Sequence, residues 1–532
     1  MKEGAVCLAA ALPKDSNRIK NMDTGVNMRL IKNKFLLSLP KTRNCGRSRQ
    51  WKVRLLSLAC LAPFALAACG GPSVPLGEIG NVEGSLGGAA SDEPRATLVA
   101  EDILSSGGTA ADAATALYFT LAVTYPVAAS LGGGGECIVY DNETNKLENL
   151  QFFNKAPVAG GSIAIPGNIR GMAALQARYG KLEWSQLLAP AEQIANFGQP
   201  LSRAQHMAMV LNKDQLLLDY NIQSIFMDKD GEFVAEGTKI RQIRLASLIS
   251  ALRSEGGASF YSGNWARTYI ADALAAGGQI NISDMLSYKP VWLEAQSFRV
   301  DNNMVGVSVG PAGDIYRKLW KTLYDGKGIL GIDVTIPQVE IARATASIFS
   351  DLNNISPFIS QGATSFVTAD NKGSAVACVV GLGFPFGSGQ MGEITGMVMA
   401  GNLPLESREF VASPLVIANI PNKDLYYAGG STGGAAATVA SVATALNIFA
   451  KGSNLDPAMD APRLFTMGQK LPLLYESSMT AETVDSLKSD FPVMVEVDRL
   501  AAVNAIYCRA GKVPNCISRH DPRGFGLSLI EN

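Results

Sequence analysis

The sequence predicts an α+β protein, a four-layer αββα sandwich built as one domain. Helix-type patterns dominate from residue 94 to residue 276, whereas strand-type patterns followed by one long helix dominate from residue 364 onward. Because each sheet or helix must bury an apolar face, such elements pack most simply as stacked layers. The 532 residues, 47% hydrophobic and 17% charged, are enough for a large core.

Helical spacing of apolar residues predicts most elements of the first half. Trp184, Leu187, Leu188 and Ala191 repeat in this way. Predicted helices cover residues 94–106, 110–123, 170–179, 184–197, 240–253 and 264–276, and predicted strands cover residues 136–140, 163–165 and 304–309. The four glycines at 132–135 precede a strand instead of following one, which excludes a phosphate-binding loop.

From residue 364 onward the sequence predicts several strands and one long helix. Two apolar strands within residues 364–381 are joined by Asn371-Lys372-Gly373, a sequence typical of a hairpin turn. Strands are also predicted at residues 415–420 and 425–428. The glycine-rich run 429–434 then leads into a predicted helix over residues 435–449.

An export signal is predicted near the N-terminus. Basic residues precede an apolar run over residues 55–68, which is too short for a spanning helix. The run ends in Leu66-Ala67-Ala68-Cys69-Gly70, which resembles a bacterial lipobox. We therefore expect residues 1–68 to be a signal and extension, Cys69 to carry lipid, and residues 69–93 to be a flexible tether. The alternatives are an ordinary cleavage site or a core helix. The expected location is the periplasmic face of the cell envelope, with the outer membrane weakly preferred.

Export places the remaining cysteines in an oxidising compartment. Cys508 and Cys516 bracket a turn-like loop that could close a disulfide. Cys137 and Cys378 lie in apolar strand-like runs, where buried free thiols are expected.

Composition excludes several classes of function. The net charge is −1, so we expect no nucleic-acid partner. There are two histidines, and no metal-ligand spacing or cofactor motif is present. We therefore expect no cofactor and no metal. Asp112, early in an alanine-rich helix, is expected to cap that helix or to pair locally, and not to act in catalysis.

Short blocks from about residue 95 to the end resemble gamma-glutamyltranspeptidases, in the order of that family. The blocks are residues 107–114, 131–135, 166–171, 178–182, 188–191, 260–263, 284 with 288–289, 461–463 and 521–523. The resemblance implies the N-terminal-nucleophile hydrolase fold. It also implies a large-subunit-like region over residues 94–362 and a small-subunit-like region over residues 363–532, both in one domain.

The resemblance places Ala363 at the position of the family's catalytic threonine, which becomes the N-terminus of the small subunit after self-cleavage. That threonine uses its own α-amine as general base. Alanine has no nucleophilic atom, so Thr364 and Ser365 are the candidate nucleophiles. A shift of one residue along a strand turns the side chain to the other face. Gly433 and Gly434 match the family's oxyanion hole.

The family's contacts to the γ-glutamyl group are also changed. In the run 152–157, Phe153 replaces the arginine that binds the substrate carboxylate, and Lys155 could substitute only as a point charge. The positions expected to hold the substrate amino group correspond to Gly383, residues 404–405, Phe410 and Val411, which are apolar or lack a side chain.

Three functions stay open on these grounds. The leading hypothesis is a degenerate, membrane-anchored homologue that has lost γ-glutamyl transfer and has a binding or structural role. The second is a processed amidase of altered acyl specificity, with Thr364 or Ser365 as nucleophile. The third is hydrolysis of glutathione and γ-glutamyl transfer. The partner would be a γ-glutamyl compound or another small acyl amide.

Overall fold

The computed structural model describes residues 87–324, 338–350, 362–402, 413–451, 454–509, 511 and 515–531. These residues belong to one compact unit. The strands are β1 Gly87–Ser91, β2 Gly134–Asp141, β3 Lys146–Phe152, β4 Gln199–Pro200, β5 Lys239–Ile240, β6 Val291–Glu294, β7 Gln296–Val300, β8 Asn303–Val307, β9 Gly362–Asp370, β10 Ala375–Gly383, β11 Ser413–Asn419, β12 Asp424–Thr432, β13 Leu464–Phe465, β14 Leu473–Glu476, β15 Met494–Val497, β16 Ala502–Cys508, β17 Cys516–Arg519 and β18 Leu527–Glu531.

The helices lie between these strands. They are α1 Pro94–Ser105, α2 Ala110–Thr124, α3 Asn168–Tyr179, α4 Trp184–Phe197, α5 Arg203–Leu211, α6 Tyr220–Phe226, α7 Ile243–Glu255, α8 Gly263–Ala275, α9 Ile282–Ser287, α10 Pro311–Leu323, α11 Gln338–Ser350, α12 Ala435–Lys451, α13 Leu455–Asp460 and α14 Ala481–Leu487.

Two large sheets form the centre of the fold. One has seven strands in the order β18-β1-β9-β10-β2-β3-β6, and the other has six in the order β17-β16-β12-β11-β8-β7. Between them lies an apolar layer of small and branched side chains, including Val367, Ala377, Val416, Ala428 and Ile506. The two sheets therefore pack face to face.

A helical layer covers the outer face of each sheet. The alanine-rich α2 is buried along its whole length and packs with α1, α3 and α4 on the seven-stranded sheet, and α7 packs against α4. Helices α10, α11 and α12 cover the six-stranded sheet. This arrangement confirms the predicted αββα sandwich.

Most element predictions agree with the structure, and three do not. Residues 163–165, predicted as a strand, form only isolated bridges. Residues 87–91, assigned to the predicted tether, form β1, which pairs with β9 and β18. Cys137 and Cys378, expected as free thiols, face each other across β2 and β10 and form a disulfide. A period-two pattern within one strand cannot reveal which strand lies beside it.

Two other predictions are confirmed. Asp112 caps α2 through the main-chain N–H of Thr109 at 3.0 Å. Cys508 and Cys516 form a disulfide across eight residues of sequence. The Cys137–Cys378 disulfide spans 241 residues and so connects the regions on either side of Ala363.

A buried ionic network joins the C-terminal segment to β14, which belongs to a three-stranded sheet of order β13-β14-β15. The Glu476 carboxylate, 2% exposed, accepts from Arg523 Nε and Nη2, both at 2.6 Å, and from the N–H of Leu500 at 2.7 Å. Asp521 pairs with Arg463 at 2.7 Å. Arg463 belongs to the sequence block 461–463, Asp521 and Arg523 belong to the block 521–523, and Glu476 lies on β14. The two blocks therefore supply charged residues of this buried network.

We predict that the two disulfides contribute unequally to stability. In the loop-entropy model the Cys137→Ala/Cys378→Ala variant loses about 5 kcal/mol, and Cys508→Ala/Cys516→Ala loses about half as much, because the second loop is far shorter. Urea unfolding of the oxidised proteins measures both losses. Equal losses would contradict the loop-closure explanation.

We predict that Glu476→Gln lowers the free energy of unfolding by about 3–5 kcal/mol, since it leaves Arg523, whose side chain is 11% exposed, with only the longer contact of 3.5 Å to Asp521. The matched control is Glu340→Gln, which removes an exposed i,i+3 pair with Arg343 and should cost under about 0.5 kcal/mol. Chemical unfolding compares the two. A loss for Glu476→Gln as small as that of the control would show that the network is dispensable.

Candidate functional site

A cavity of about 110 Å³ lies where β9 begins and where β12 ends. Ala363, Thr432 and Gly433 line it from the sheets. Helix α5 contributes one stripe of side chains at helical spacing, namely Ala204, Met207, Ala208 and Leu211. The predicted nucleophile position and one predicted oxyanion-hole residue therefore meet in one cavity.

The pleat of β9 separates the three residues at its start. Alternate side chains of a strand point to opposite faces. Ala363 borders the cavity. Ser365 lies on the same face of β9 and points between the two sheets, where its Oγ donates to Gly430 O at 3.0 Å. Thr364 lies on the other face and donates from Oγ1 to Asp92 Oδ2 at 2.8 Å. Both Thr364 and Ser365 are fully buried.

Asp92 follows β1 and organises a polar cluster beside the cavity. Its Oδ1 accepts from Asn504 Nδ2 at 2.8 Å, and its Oδ2 accepts from Thr364. Asn504 Nδ2 also reaches Ser365 Oγ at 2.9 Å. Burial raises the pKa of the Asp92 carboxyl, and the hydrogen bonds from Asn504 and Thr364 oppose that shift. Asp92 is thus the acidic group placed to exchange a proton with Thr364.

Gly433 and Gly434 connect β12 to the N-terminus of α12. Their φ angles are 128° and 63°, which favour glycine. A Cβ on Gly433 would lie 2.6 Å from Ala501 Cα, so a side chain is excluded by space as well. Main-chain N–H groups at the start of a long helix carry partial positive charge. The turn is therefore suited to stabilising an oxyanion beside Ala363.

The other predicted binding residues lie away from the cavity. Cross-strand partners run Ala363–Gly381–Gly134 across the sheet, and Phe153 continues this row directly after β3. Three strand spacings place the Phe153 backbone about 14 Å from Ala363. The exposed Lys155 holds its Nζ over the Tyr288 ring, 5.1 Å from the centroid. Neither residue lines the cavity.

Gly383 closes β10 opposite Gly362, at a bulge, with φ of 87°. It lies next to the start of β9 and contributes no side chain. Phe410, Val411 and the residues 404–405 lie outside the described residues, as does Cys69.

Several cavity residues were not identified from the sequence. Asp92 lay within the predicted tether, and Tyr125 and Arg499 lie in connecting segments. Asn504 had a usable signal, because an amide in the apolar strand β16 must find partners when buried. No sequence signal showed that α5 lines the cavity, since helical spacing does not reveal which surface a helix packs against.

The described part of the chain lacks two further features. No group of three or more His, Cys, Asp and Glu side chains there is arranged to hold a metal ion. None of the helices in those ranges combines the length and apolarity needed to cross a membrane.

Similarity to known proteins was found at the level of both sequence and fold. The family model for gamma-glutamyltranspeptidase matches residues 96–313. Scoloptoxin SSD14 of Scolopendra dehaani is 24% identical over 75% of this chain and 85% of its own. The glutathione hydrolase proenzyme of Pseudomonas aeruginosa is 32% identical, over 40% of this chain and 41% of its own length. The chain thus aligns with less than half of that relative.

The cephalosporin acylase of Bacillus halodurans has the same fold, with a TM-score of 0.71, 19% identity, and coverage of 87% of this chain and 99% of its own. This likeness concerns the fold alone. The matched family model over residues 96–313 and the aligned glutathione hydrolases show that the chain is similar to the gamma-glutamyltranspeptidase family.

Proposed function

We propose that this protein is a gamma-glutamyltranspeptidase-like binding protein of the bacterial cell envelope, anchored through a lipid on Cys69, that does not transfer γ-glutamyl groups. The observation that carries the proposal is the alanine at the nucleophile position. Ala363 borders the cavity next to Gly433, where the family's chemistry requires a hydroxyl. An oxyanion hole without a nucleophile can bind a carbonyl group but cannot form an acyl-enzyme.

Neighbouring hydroxyls do not replace the missing one without rearrangement. Cleavage before Thr364 would free an amine on a residue whose side chain points away from the cavity face of Ala363. Cleavage before Ser365 would remove two residues of β9, and the Ser365 hydroxyl is already bonded to Gly430 and Asn504. Residues 366–370 are paired with β1 on one side and β10 on the other, which opposes a register shift.

Loss of γ-glutamyl specificity is supported by Phe153. An arginine–carboxylate contact is charge-assisted and directional. Phe153 offers no charge, and Lys155 is exposed and engaged with Tyr288. A γ-glutamyl compound would therefore lack its carboxylate partner here.

A second candidate function is amide hydrolysis through Thr364. One observation favours it: Thr364 Oγ1 donates to Asp92 Oδ2 at 2.8 Å, and Asp92 also lines the cavity. A carboxyl with a raised pKa is suited to general base catalysis near neutral pH. Ser365, the other candidate nucleophile, has no comparable acidic partner for its Oγ among the described residues. Glutathione hydrolysis, the activity in the names of several relatives, would require turnover of γ-glutamyl anilides.

We predict that the purified wild-type protein is one uncut chain without γ-glutamyl-anilide turnover. Intact mass must be measured after reduction, because the Cys137–Cys378 disulfide would hold two fragments together. The control is Ala363→Thr, which restores the hydroxyl at the cavity. We expect this variant to remain inactive on γ-glutamyl anilides, because Phe153 still lacks the charge. A wild-type fragment beginning at residue 363, 364 or 365 would overturn the proposal.

We predict that Thr364→Val leaves the mass unchanged and lowers the free energy of unfolding by about 1–2 kcal/mol, because Asp92 loses a buried donor. Ser365→Ala serves as the parallel variant. Mass spectrometry and chemical unfolding give both readouts. If wild type is cut and Thr364→Val alone prevents cutting, Thr364 is the nucleophile and the second candidate is correct.

A further inference from the structure

Residues 520–526 form the segment that passes from one central sheet to the other. The segment follows β17, at the edge of the six-stranded sheet, and precedes β18, at the edge of the seven-stranded sheet. Arg523, Gly524 and Phe525 of this segment line the cavity. A change that opens the segment therefore also opens one wall of the cavity.

His520 begins this segment, and its imidazole is half-buried beside the end of β1. A Cβ on Gly526 would lie 3.1 Å from His520 Cβ and 3.0 Å from Asp92 Cα, so the histidine and the aspartate flank the same glycine. Nδ1 of His520 is buried and has no hydrogen-bond partner among the described residues. A neutral imidazole can leave Nδ1 unprotonated, whereas an imidazolium carries a proton on both nitrogens. Protonation of His520 in place would therefore create a buried, charged donor without an acceptor, which is costly.

The other histidine of the chain, His206, is arranged differently. It is also half-buried, but its Nδ1 lies 3.1 Å from Val234 O. That carbonyl can accept from a protonated Nδ1, so protonation of His206 leaves no unpaired donor at this nitrogen. The two histidines thus form a matched pair in which only His520 opposes a second proton through its contacts.

The charged groups around the His520 ring leave this preference for the neutral form in place. Burial lowers the pKa of the imidazole; the Asp92 carboxylate opposes the shift, Arg519 adds to it, and Asp521 opposes it. Both carboxylates already accept from other side chains, namely Thr364, Asn504 and Arg463. Burial also raises the pKa of Asp92, so in acid this residue tends to lose the charge that favours an imidazolium.

The direction of the pH effect follows from these contacts. In an opened segment the histidine takes up a proton near its ordinary pKa of about 6.5, whereas in the closed segment it does so only at lower pH. The contribution of neutral His520 to the closed state is therefore complete above about pH 6.5 and is lost as the pH falls below it.

We propose that His520 is a pH-sensitive switch: its protonation opens the segment 520–526 and with it one wall of the cavity. In the neutral form the ring stays packed beside Gly526 and Asp92. In the protonated form Nδ1 leaves its buried position to reach water, and the residues that follow move with it. The ion pair of Arg523 with Glu476 resists this movement, so the result is a local opening and not global unfolding. The switch does not depend on whether the chain is cut or on what the cavity binds.

The test is hydrogen–deuterium exchange of the purified full chain at about pH 7.5 and about pH 5.5, which spans the titration of histidine. Rates are corrected for the intrinsic pH dependence of exchange and read by mass spectrometry on peptides from residues 520–531. We expect protection of this segment to fall at least about threefold in acid, while protection of α2 stays constant. Equal protection of residues 520–531 at the two pH values would overturn the inference.

Variants assign the effect to one imidazole. His520→Asn keeps a side-chain acceptor near the position of Nδ1 but cannot take up a proton, so its protection should be the same at both pH values. His206→Asn is the matched control and should keep the loss of protection seen in the wild type. A folded His520→Asn variant that still loses protection in acid contradicts the proposal.

A second measurement does not require the His520→Asn variant to fold. In His206→Asn a single imidazole remains, so the NMR signal of labelled histidine reports the protonation of His520 directly. We expect this signal to titrate below about pH 6.5, the value of an unperturbed histidine. Titration at or above that pH would show that the closed segment does not oppose the proton, and the proposed switch would be wrong.

Discussion

The structure depends on the burial and pairing of β9. This strand lies in the middle of the seven-stranded sheet, with one face against α2 and the other against the six-stranded sheet. Val367 and Ala369 fill the space between the sheets, and Phe366 fills the helical side. Because a slip of one residue would exchange these two sets, the register cannot move. The same register places Ala363 in the cavity lining and brings the Thr364 hydroxyl to the Asp92 carboxylate.

The C-terminal segment depends on a different interaction, the ion pairs of Glu476 and Asp521 with Arg523 and Arg463. Arg463 Nη1 also donates to Ala501 O at 3.1 Å, and Ala501 has a φ of 57°. An alanine in this conformation is strained by about 1 kcal/mol or more. The ionic network holds it against Gly433, in the wall of the cavity. The segments that carry Arg499 and Phe525 are thus fixed by buried charge rather than by helix or strand.

In the proposed function, this chain keeps the scaffold of the family without its chemistry. Gly433 and Gly434 form the turn that is suited to binding an oxyanion. The ion pairs of residues 461–463 and 521–523 stabilise the cavity wall beside that turn. On the proposed alignment, residue 363 lacks the family's hydroxyl and residue 153 lacks the family's charge. Nothing in the backbone requires alanine at residue 363 or phenylalanine at residue 153.

The sequence by itself determined the layered αββα fold and the resemblance to the gamma-glutamyltranspeptidase family, because apolar periodicity and short blocks are local properties. Tertiary structure alone decided the Cys137–Cys378 disulfide, the partnership of Asp92 with Thr364 and Asn504, and the convergence of Arg499 and Asn212 on one cavity. These contacts join residues separated by 241, 272, 412 and nearly 300 positions. No local pattern encodes them, since they depend on which strands pair and which helix covers the strand ends.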